Sequence, residues 1–350
     1  MNKQLIKGNE AVVYGALMGG ATHFFGYPIT PASEIAHAAA DLFPRAGRHF
    51  LQAESEVTVI NFIYGASCAG ARPMTASSGP GLSLMQEGIS YMACAELPCV
   101  IVDVQRAGPG LGNIWPEQGD YNAVVKGGGH GSYRNIVFAP NSVQEMCDFT
   151  YRAFEIADQY RATVIILSDA YIGQMMEPVE LPTKLKEGKR KEWAVYGDKE
   201  SRHNLITSIF MNAQILSDVN LKLQAKYRTI EKELVEYEEF GVDDAEVLFI
   251  SFGITARVCY SAMQKLRSSG VKVGLFRPKT LYPFPSKRLK ELAAAKKKYI
   301  VVELNSGQMA DDVKLAVEHT IPILQYNWYG GIVPSIDEII ERFEKDMAGE

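Results

Sequence analysis

The chain has 350 residues and a mass of 38.7 kDa, with 47% hydrophobic and 22% charged residues, a size that suits two packed units better than one. Lys and Arg total 36 against 41 Asp and Glu, a net charge of −5, so no broad cationic field exists for gripping nucleic acid or an anionic membrane. The five cysteines form no Cys-x-x-Cys pair, and neither a signal-peptide core nor a membrane-length apolar run occurs; reduced thiols in a cytoplasmic protein are expected.

Residues 1–177 alternate helix-like and strand-like segments. Asn9 is expected to cap a helix through AVVYGALMGGA, followed by strand HFFGY and a Pro-Ile-Thr-Pro turn. Pro31 suits the first position of the next helix, PASEIAHAAADLF, where its missing N–H costs nothing. After strand HFLQ, a helix is expected from about Glu54, with Val57, Ile60, Ile63, Tyr64 and Ser67 on one face. Strand PMTAS leads through Ser-Gly-Pro-Gly into helix LSLMQEGISYMACAE, and PCVIVDVQ reads as a fully buried strand. A glycine-rich loop (106–134) precedes strand IVFAP, helix SVQEMCDFTYRAFEIADQY and strand TVIILSD. Apolar strands without alternation, separated by helices, predict a parallel sheet covered on both faces.

Residues 178–243 read as a linker. EPVELP and TKLKEGKRKEW are irregular and charged, as a solvated connection would be. Val219, Leu223, Tyr227, Ile230, Leu234 and Tyr237 then recur at helical spacing, predicting an amphipathic helix that packs on its own domains or on a partner chain. From 244 to 350 the rhythm resumes, with strands EVLFISFG, VKVGLFR, KYIVVELN and IPILQY between helices. The expected fold is α/β, with two doubly wound, mainly parallel-sheet domains.

No Gly-x-x-x-x-Gly-Lys-Ser/Thr loop, complete Gly-x-Gly-x-x-Gly, Gly-x-Ser-x-Gly elbow or His-Glu-x-x-His helix occurs, which disfavours nucleotide, dinucleotide, serine-hydrolase and zinc-protease chemistry. The cysteine spacing equally fits no iron–sulfur cluster or structural zinc. Unusual residues instead collect where strands end, the edge at which open α/β sheets bind ligands. In YPITP, Pro28 and Pro31 stiffen the turn around Thr30, which either presents its hydroxyl or makes a rigid connection. In QAESE, Glu54 reads as compensation of a helix dipole. Glu56 differs, because it enters an apolar helix beside Val57, Val59 and Ile60, where a charge needs a partner. The Ser-Gly-Pro-Gly turn at 78–81 allows either close backbone approach to a ligand or close packing. Arg106 ends an apolar strand before a run of glycines; it suits a bidentate grip on a carboxylate or phosphate, with a structural ion pair as the alternative.

Taken together, these segments resemble the α subunit of the thiamine-diphosphate-dependent 2-oxoacid:ferredoxin oxidoreductases. YPITP, AESE, GASCAGARPMTASSGPGLSLMQEG, ELPCVIVDVQRAGPGLGN and GGGHG occur in that order. The resemblance implies a pyrimidine-binding domain at 1–177, a linker with a long amphipathic helix at 178–243 and a transketolase C-terminal-like domain at 244–350. It implies thiamine diphosphate shared with a β subunit, which would carry the diphosphate and Mg2+; the Gly-Asp-Gly that marks that subunit does not occur here. Iron–sulfur clusters would lie on a ferredoxin-like partner, and no nucleic-acid or membrane partner is expected.

Within the family, GPGLGNIWPEQGDYNAVVKGGGHG most resembles the 2-oxoisovalerate (3-methyl-2-oxobutanoate) branch, whereas the 2-oxoglutarate branch reads closer to GPSTGLPT after the arginine. Leu111, Ile114 and Trp115 suit a branched aliphatic side chain. The implied reaction is oxidative decarboxylation to acyl-CoA and carbon dioxide. The alternatives are 2-oxoglutarate or pyruvate as substrate, or a non-catalytic scaffold subunit. By matched position, Glu56 would hydrogen-bond N1′ of the cofactor's aminopyrimidine, Arg106 would hold the substrate carboxylate and Thr30 would hydrogen-bond the substrate. Tyr27, Ser78 and Gly79 would line the cofactor.

Overall fold

The computed structural model describes residues 3–349, so Met1, Asn2 and Glu350, the outermost residues of the expected end domains, lie outside it. The larger sheet has seven strands in the order 280–282, 136–138, 163–169, 99–105, 73–77, 23–26 and 49–52. Neighbours pair in parallel except Thr280–Tyr282, which runs antiparallel to Ile136–Phe138. Cys99–Gln105 and Thr163–Asp169 are buried along their whole length, as their non-alternating apolar runs require. Right-handed crossovers put helices Ser33–Arg45 and Val143–Tyr160 on one face, and Glu56–Cys68 and Gly79–Cys94 on the other. The smaller sheet orders 323–327, 298–303, 247–250, 273–278 and 237–240, the last strand antiparallel.

Several local readings shift. The first helix starts at Gly8 after Lys7, without a side-chain cap. Asn9 is buried inside it and donates instead to the Pro31 carbonyl (2.9 Å) and to Glu34 (3.1 Å). Pro31 precedes the next helix, which begins at Ser33. Glu56–Cys68 is capped by Ser55, whose hydroxyl accepts from the Thr58 amide. That cap sets the helix phase: Glu56, Val59, Ile60, Ile63 and Ser67 turn inward, and Val57 turns out. The amphipathic helix ends at Glu233, and Tyr237–Phe240 becomes an edge strand of the smaller sheet. Thr280–Tyr282 crosses to edge the larger sheet, so the trailing chain contributes to both. Gln4–Lys7 and Met176–Val179 form an antiparallel pair that the sequence reading passed over.

All five cysteines are free thiols. No helix among the described residues is long and apolar enough to cross a membrane.

The two sheets are tied by a buried charge network. Arg277, 2% exposed, lies between Glu145 (2.6 Å) and Glu238 (2.9 Å), and Lys279 reaches Glu145 at 3.1 Å. Burial opposes ionisation of Glu145, yet the charge and hydrogen bond of Arg277 hold its carboxyl below the usual range. Arg277→Leu removes the main partner of that buried carboxylate and is expected to cost about 3–5 kcal/mol, read from urea unfolding midpoints. A depressed carboxylate contributes stability above its unfolded value and loses it as pH falls, so the deficit should shrink below about pH 4.

Candidate active site

The C-terminal ends of strands 163–169, 99–105, 73–77, 23–26 and 49–52 share one edge of the larger sheet. Every residue marked in the sequence follows one of these ends. Parallel pairing therefore gathers side chains that lie far apart along the chain.

Glu56 opens its helix with its side chain buried. It faces the turn into helix Gly79–Cys94: a Cβ on Gly81 would overlap both the Glu56 carboxylate and Ser77 Oγ. The carboxylate has neither hydrogen bond nor ion pair among the described residues. Nearby, the hydroxyls of Ser77 and Ser78 are buried without partners. By contrast, Glu54 points outward and accepts from Thr58 Oγ1 at 2.6 Å, a local helix-start interaction. Gly81 lets the Glu56 carboxylate and Ser77 Oγ lie directly against the helix backbone, and an unpartnered carboxylate beside two unpartnered hydroxyls suits a nitrogen heterocycle such as an aminopyrimidine, whose ring nitrogens and amino group would complete them. Among the described residues no group of three His, Cys, Asp or Glu side chains is placed to hold a metal ion.

Arg106 is fixed by main-chain carbonyls. Its two terminal nitrogens donate to Thr30 O (2.8 Å) and Leu111 O (2.9 Å), and its Nε is buried without a partner. No carboxylate lies within ion-pair distance of it among the described residues, so the structural ion pair does not form. Thr30 is exposed beside it, and Tyr27 is also exposed. Two clefts lie at this edge, one lined by Arg106 itself and the other by Thr30, whose carbonyl tethers that arginine; Tyr27 lines neither. One, of about 490 Å³, is lined by Gly79, Arg106, Glu117, Asp120, Asn305 and Gln308. The other, of about 530 Å³, is mostly apolar, with Thr30, Ile114, Trp115, Pro116, Tyr171 and Met175 in its wall. Leu111 turns out of both and is 77% exposed. A larger groove of about 870 Å³, between helix Ala213–Glu233 and residues 281–288, holds none of these residues.

The loop after Arg106 is ordered by residues that the sequence reading missed. Glu117 accepts from Gly108 N (2.8 Å) and Gly330 N (2.9 Å). Gln118 is wholly buried; its side chain donates to Phe252 O (2.9 Å) and accepts from Leu304 N (2.9 Å), while its backbone N–H donates to Leu304 O (2.9 Å) and its carbonyl accepts from the Asn305 side-chain amide (2.9 Å). Asp103 and Asp120 also went unremarked. Burial pushes the Asp103 carboxyl well above the ordinary range, with the neighbouring Asp120 charge adding to it. Burial also pushes Asp120 up to about 6, with Glu117 adding and Asp103 and Arg106 opposing. Their signals were an aspartate inside an otherwise apolar strand and an acid-rich EQGD within a glycine loop. GGGHG belongs to packing: Cβ atoms on Gly128 and Gly129 would overlap Gln86.

Residues 14–239 match the family model described as pyruvate flavodoxin/ferredoxin oxidoreductase, thiamine diphosphate-binding, and 245–339 match core domain II of pyruvate:ferredoxin oxidoreductase. The chain is 54% identical, over 100% of its length and 99% of the relative, to the ketoisovalerate oxidoreductase subunit VorB of Methanothermobacter marburgensis. It is 36% identical to the 2-oxoglutarate synthase subunit KorA of Methanocaldococcus jannaschii, over 97% of this chain and 98% of that one. The 2-oxoglutarate:ferredoxin oxidoreductase of Magnetococcus marinus, solved with 2-oxoglutarate, coenzyme A and succinyl-CoA bound, superposes with a TM-score of 0.91 at 31% identity. That alignment covers 99% of this chain and 65% of that one. A split-gene transketolase (TM-score 0.62, 14% identity, 98% of both chains) shares the fold.

Gly81→Ala tests the close approach of Glu56 to the helix backbone. The added methyl pushes on the Glu56 carboxylate, so the chain should lose only about 1–3 kcal/mol of stability. Thiamine diphosphate binding to the assembled complex, read by calorimetry, should weaken by about tenfold or more.

Proposed function

This chain belongs to the 2-oxoacid:ferredoxin oxidoreductase family, and from that premise we propose that it is the α subunit of an enzyme acting on 2-oxoisovalerate. The reaction converts the acid, coenzyme A and oxidised ferredoxin to acyl-CoA, carbon dioxide and reduced ferredoxin. The reading is carried by Glu56, a buried carboxylate with no protein partner at the sheet edge that also holds the unpaired cation Arg106. When bound, thiamine diphosphate supplies the nucleophilic carbon that attacks the 2-oxo group and the electron sink for loss of carbon dioxide.

Glu56 hydrogen-bonds N1′ of the aminopyrimidine, and its dry setting keeps that proton between the two groups. Ser78 and Gly79 border the ring, and Tyr27 follows strand 23–26 on the same sheet edge. Arg106 grips the substrate carboxylate with the N–H groups not given to Thr30 and Leu111, a charge-assisted contact of about 1.5–3 kcal/mol. The Thr30 hydroxyl bonds the same substrate. Ile114, Trp115, Pro116 and Met175 offer an apolar wall for a branched side chain; exposed Leu111 does not share in it. Identity of 54% to a ketoisovalerate chain against 36% to a 2-oxoglutarate chain supports the same choice.

The site needs a partner. Val57, Phe62, Leu84 and Tyr91 are exposed on the two helices flanking Glu56, an apolar face of the kind that a second chain covers. A β subunit with the diphosphate and Mg2+ site occupies it in this reading, and a ferredoxin-like subunit carries the iron–sulfur clusters. Residues 1–177 then act as the pyrimidine-binding unit, 178–243 as linker and 244–350 as a transketolase C-terminal-like unit, in a cytoplasmic enzyme.

The test is a complex reconstituted from this chain and its partner subunits, assayed by coenzyme A-dependent viologen reduction. kcat/KM should favour 2-oxoisovalerate over 2-oxoglutarate and pyruvate by about tenfold or more. Glu56→Gln should assemble normally and lower kcat by about a hundredfold or more. Preference for another acid keeps the chemistry and removes the substrate assignment; full activity of Glu56→Gln makes the chain a scaffold.

A further inference from the structure

We propose that Asp103 and Asp120 share one proton, held on Asp103, and that this acid–carboxylate couple is a positioning device that keeps Arg106 aimed into its cleft. Asp103 sits in the middle of the larger sheet, opposite Ser77 on one neighbouring strand and Leu167 on the other. It is fully buried, and neither carboxyl oxygen meets an N–H, a hydroxyl or a cation. Gln105, two positions further along the same strand face, accepts the Asp120 amide (3.1 Å), which brings the Asp120 carboxyl, with one oxygen likewise buried and unpartnered, to the side of the strand that Asp103 faces. Two neighbouring buried carboxyls with no donor or cation on their inner oxygens cannot both stay ionised away from water, so one proton between them is required.

The surroundings decide which residue keeps that proton. Asp120 lies 2.8 and 2.9 Å from the place a Cβ on Gly79 would occupy, at the N-terminus of the 16-residue helix Gly79–Cys94. That helix end and the nearby Arg106 both favour a negative charge. Asp120 also opens to the cleft. Asp103 has none of these, so it is the acid and donates to the Asp120 carboxylate. The groups facing the pair are Arg106 at the strand end, Glu117 on the loop, Glu56 across the turn, the hydroxyls of Ser77 and Ser78, and Asn305 and Gln308 from the smaller sheet's side. Arg106 is the one cation among them, so a second negative charge on the pair would meet Glu56 and Glu117 with little to offset it.

The couple bears on Arg106 through the chain. Arg106 begins the loop that Asp120 ends. Strand 99–105 stitches that far end twice, by Gln105 Oε1 accepting the Asp120 amide (3.1 Å) and by the Asp103 carboxyl meeting the Asp120 side chain. Loss of the proton sets two like charges against each other at this stitch and lets the loop, and Arg106 with it, shift. The functional part rests on the reading that Arg106 takes the substrate carboxylate; the shared proton does not.

The experiment uses the reconstituted complex. Infrared spectra with carbon-13-labelled aspartate should show a protonated carboxyl stretch at neutral pH that disappears in Asp103→Asn. Asp103→Leu, which removes the donor, should raise KM for 2-oxoisovalerate by about tenfold with kcat changed by less than about threefold. Wild-type KM should rise as pH increases and the shared proton is lost; Asp103→Asn donates to Asp120 and carries no charge, so it should bring KM back to within about threefold of wild type and remove that rise. A wild type without the carboxyl band, or an Asn variant as damaged as Leu, overturns the proposal. If Asp103→Leu does not assemble, the band and the Asn pH profile decide. If no 2-oxoacid is turned over, the proposed function falls and the band alone still decides the shared proton.

Discussion

The site depends on burying a polar loop between two sheets without leaving its main chain unpaired. Residues 106–120 run from the end of a fully buried strand across the mouth of the smaller sheet, and glycines make the loop too pliable to hold a shape by itself. Gln118 solves this. Its amide side chain and its backbone satisfy Phe252, Leu304 and Asn305 together, while Glu117 clasps Gly108 and Gly330. An unpaired buried amide costs about 1–3 kcal/mol, so each of these bonds holds the loop in one register. Remove the smaller sheet and the loop that carries Leu111, the second tether of Arg106, loses its register. The trailing unit is thus part of the site even though no candidate catalytic residue comes from it.

Charge follows the same logic. The edge gathers Glu56, Asp103, Glu117 and Asp120 around a single arginine, an imbalance that exposure to water would make harmless and burial does not. Three devices limit the cost. Glu117 is held by two amides, Asp120 sits at a helix N-terminus, and Asp103 has its ionisation suppressed by burial. Glu56, the first residue of Glu56–Cys68, shares the helix-terminus device and differs in having no hydrogen-bond or ion-pair partner among the described residues, which leaves its carboxylate free to meet a ligand.

The sheets were legible because their strands are apolar without alternation, a pattern that only a doubly covered parallel sheet explains. The strand-end residues Thr30, Glu56, Ser78 and Arg106 were legible for the same reason: polar residues directly after such strands land on the binding edge. Phase was not legible where one cap decides it. Ser55 caps the helix, so it begins at Glu56 instead of Glu54, and this exchanges Val57 for Val59 on the buried face. Nor were the strands 237–240 and 280–282, whose pairing is set by partners distant in sequence and not by their own short patterns. Glu117 and Gln118 looked like ordinary loop residues because their partners, Gly330, Phe252 and Leu304, lie more than a hundred positions away.

Arg106 shows why a charged residue at such a site is fastened by carbonyls. An acid partner would fix the guanidinium equally well, but it would also neutralise the charge and compete with any incoming carboxylate. Carbonyls of Thr30 and Leu111 orient the planar group through two of its five N–H donors and leave its full charge in place. The same bonds couple the turn after strand 23–26 to the loop after strand 99–105, so Arg106 also braces the two segments that surround it. A lysine could supply the charge but not both tethers, because it lacks the rigid fork. Orientation and unspent charge are separable requirements, and at this position only arginine meets both.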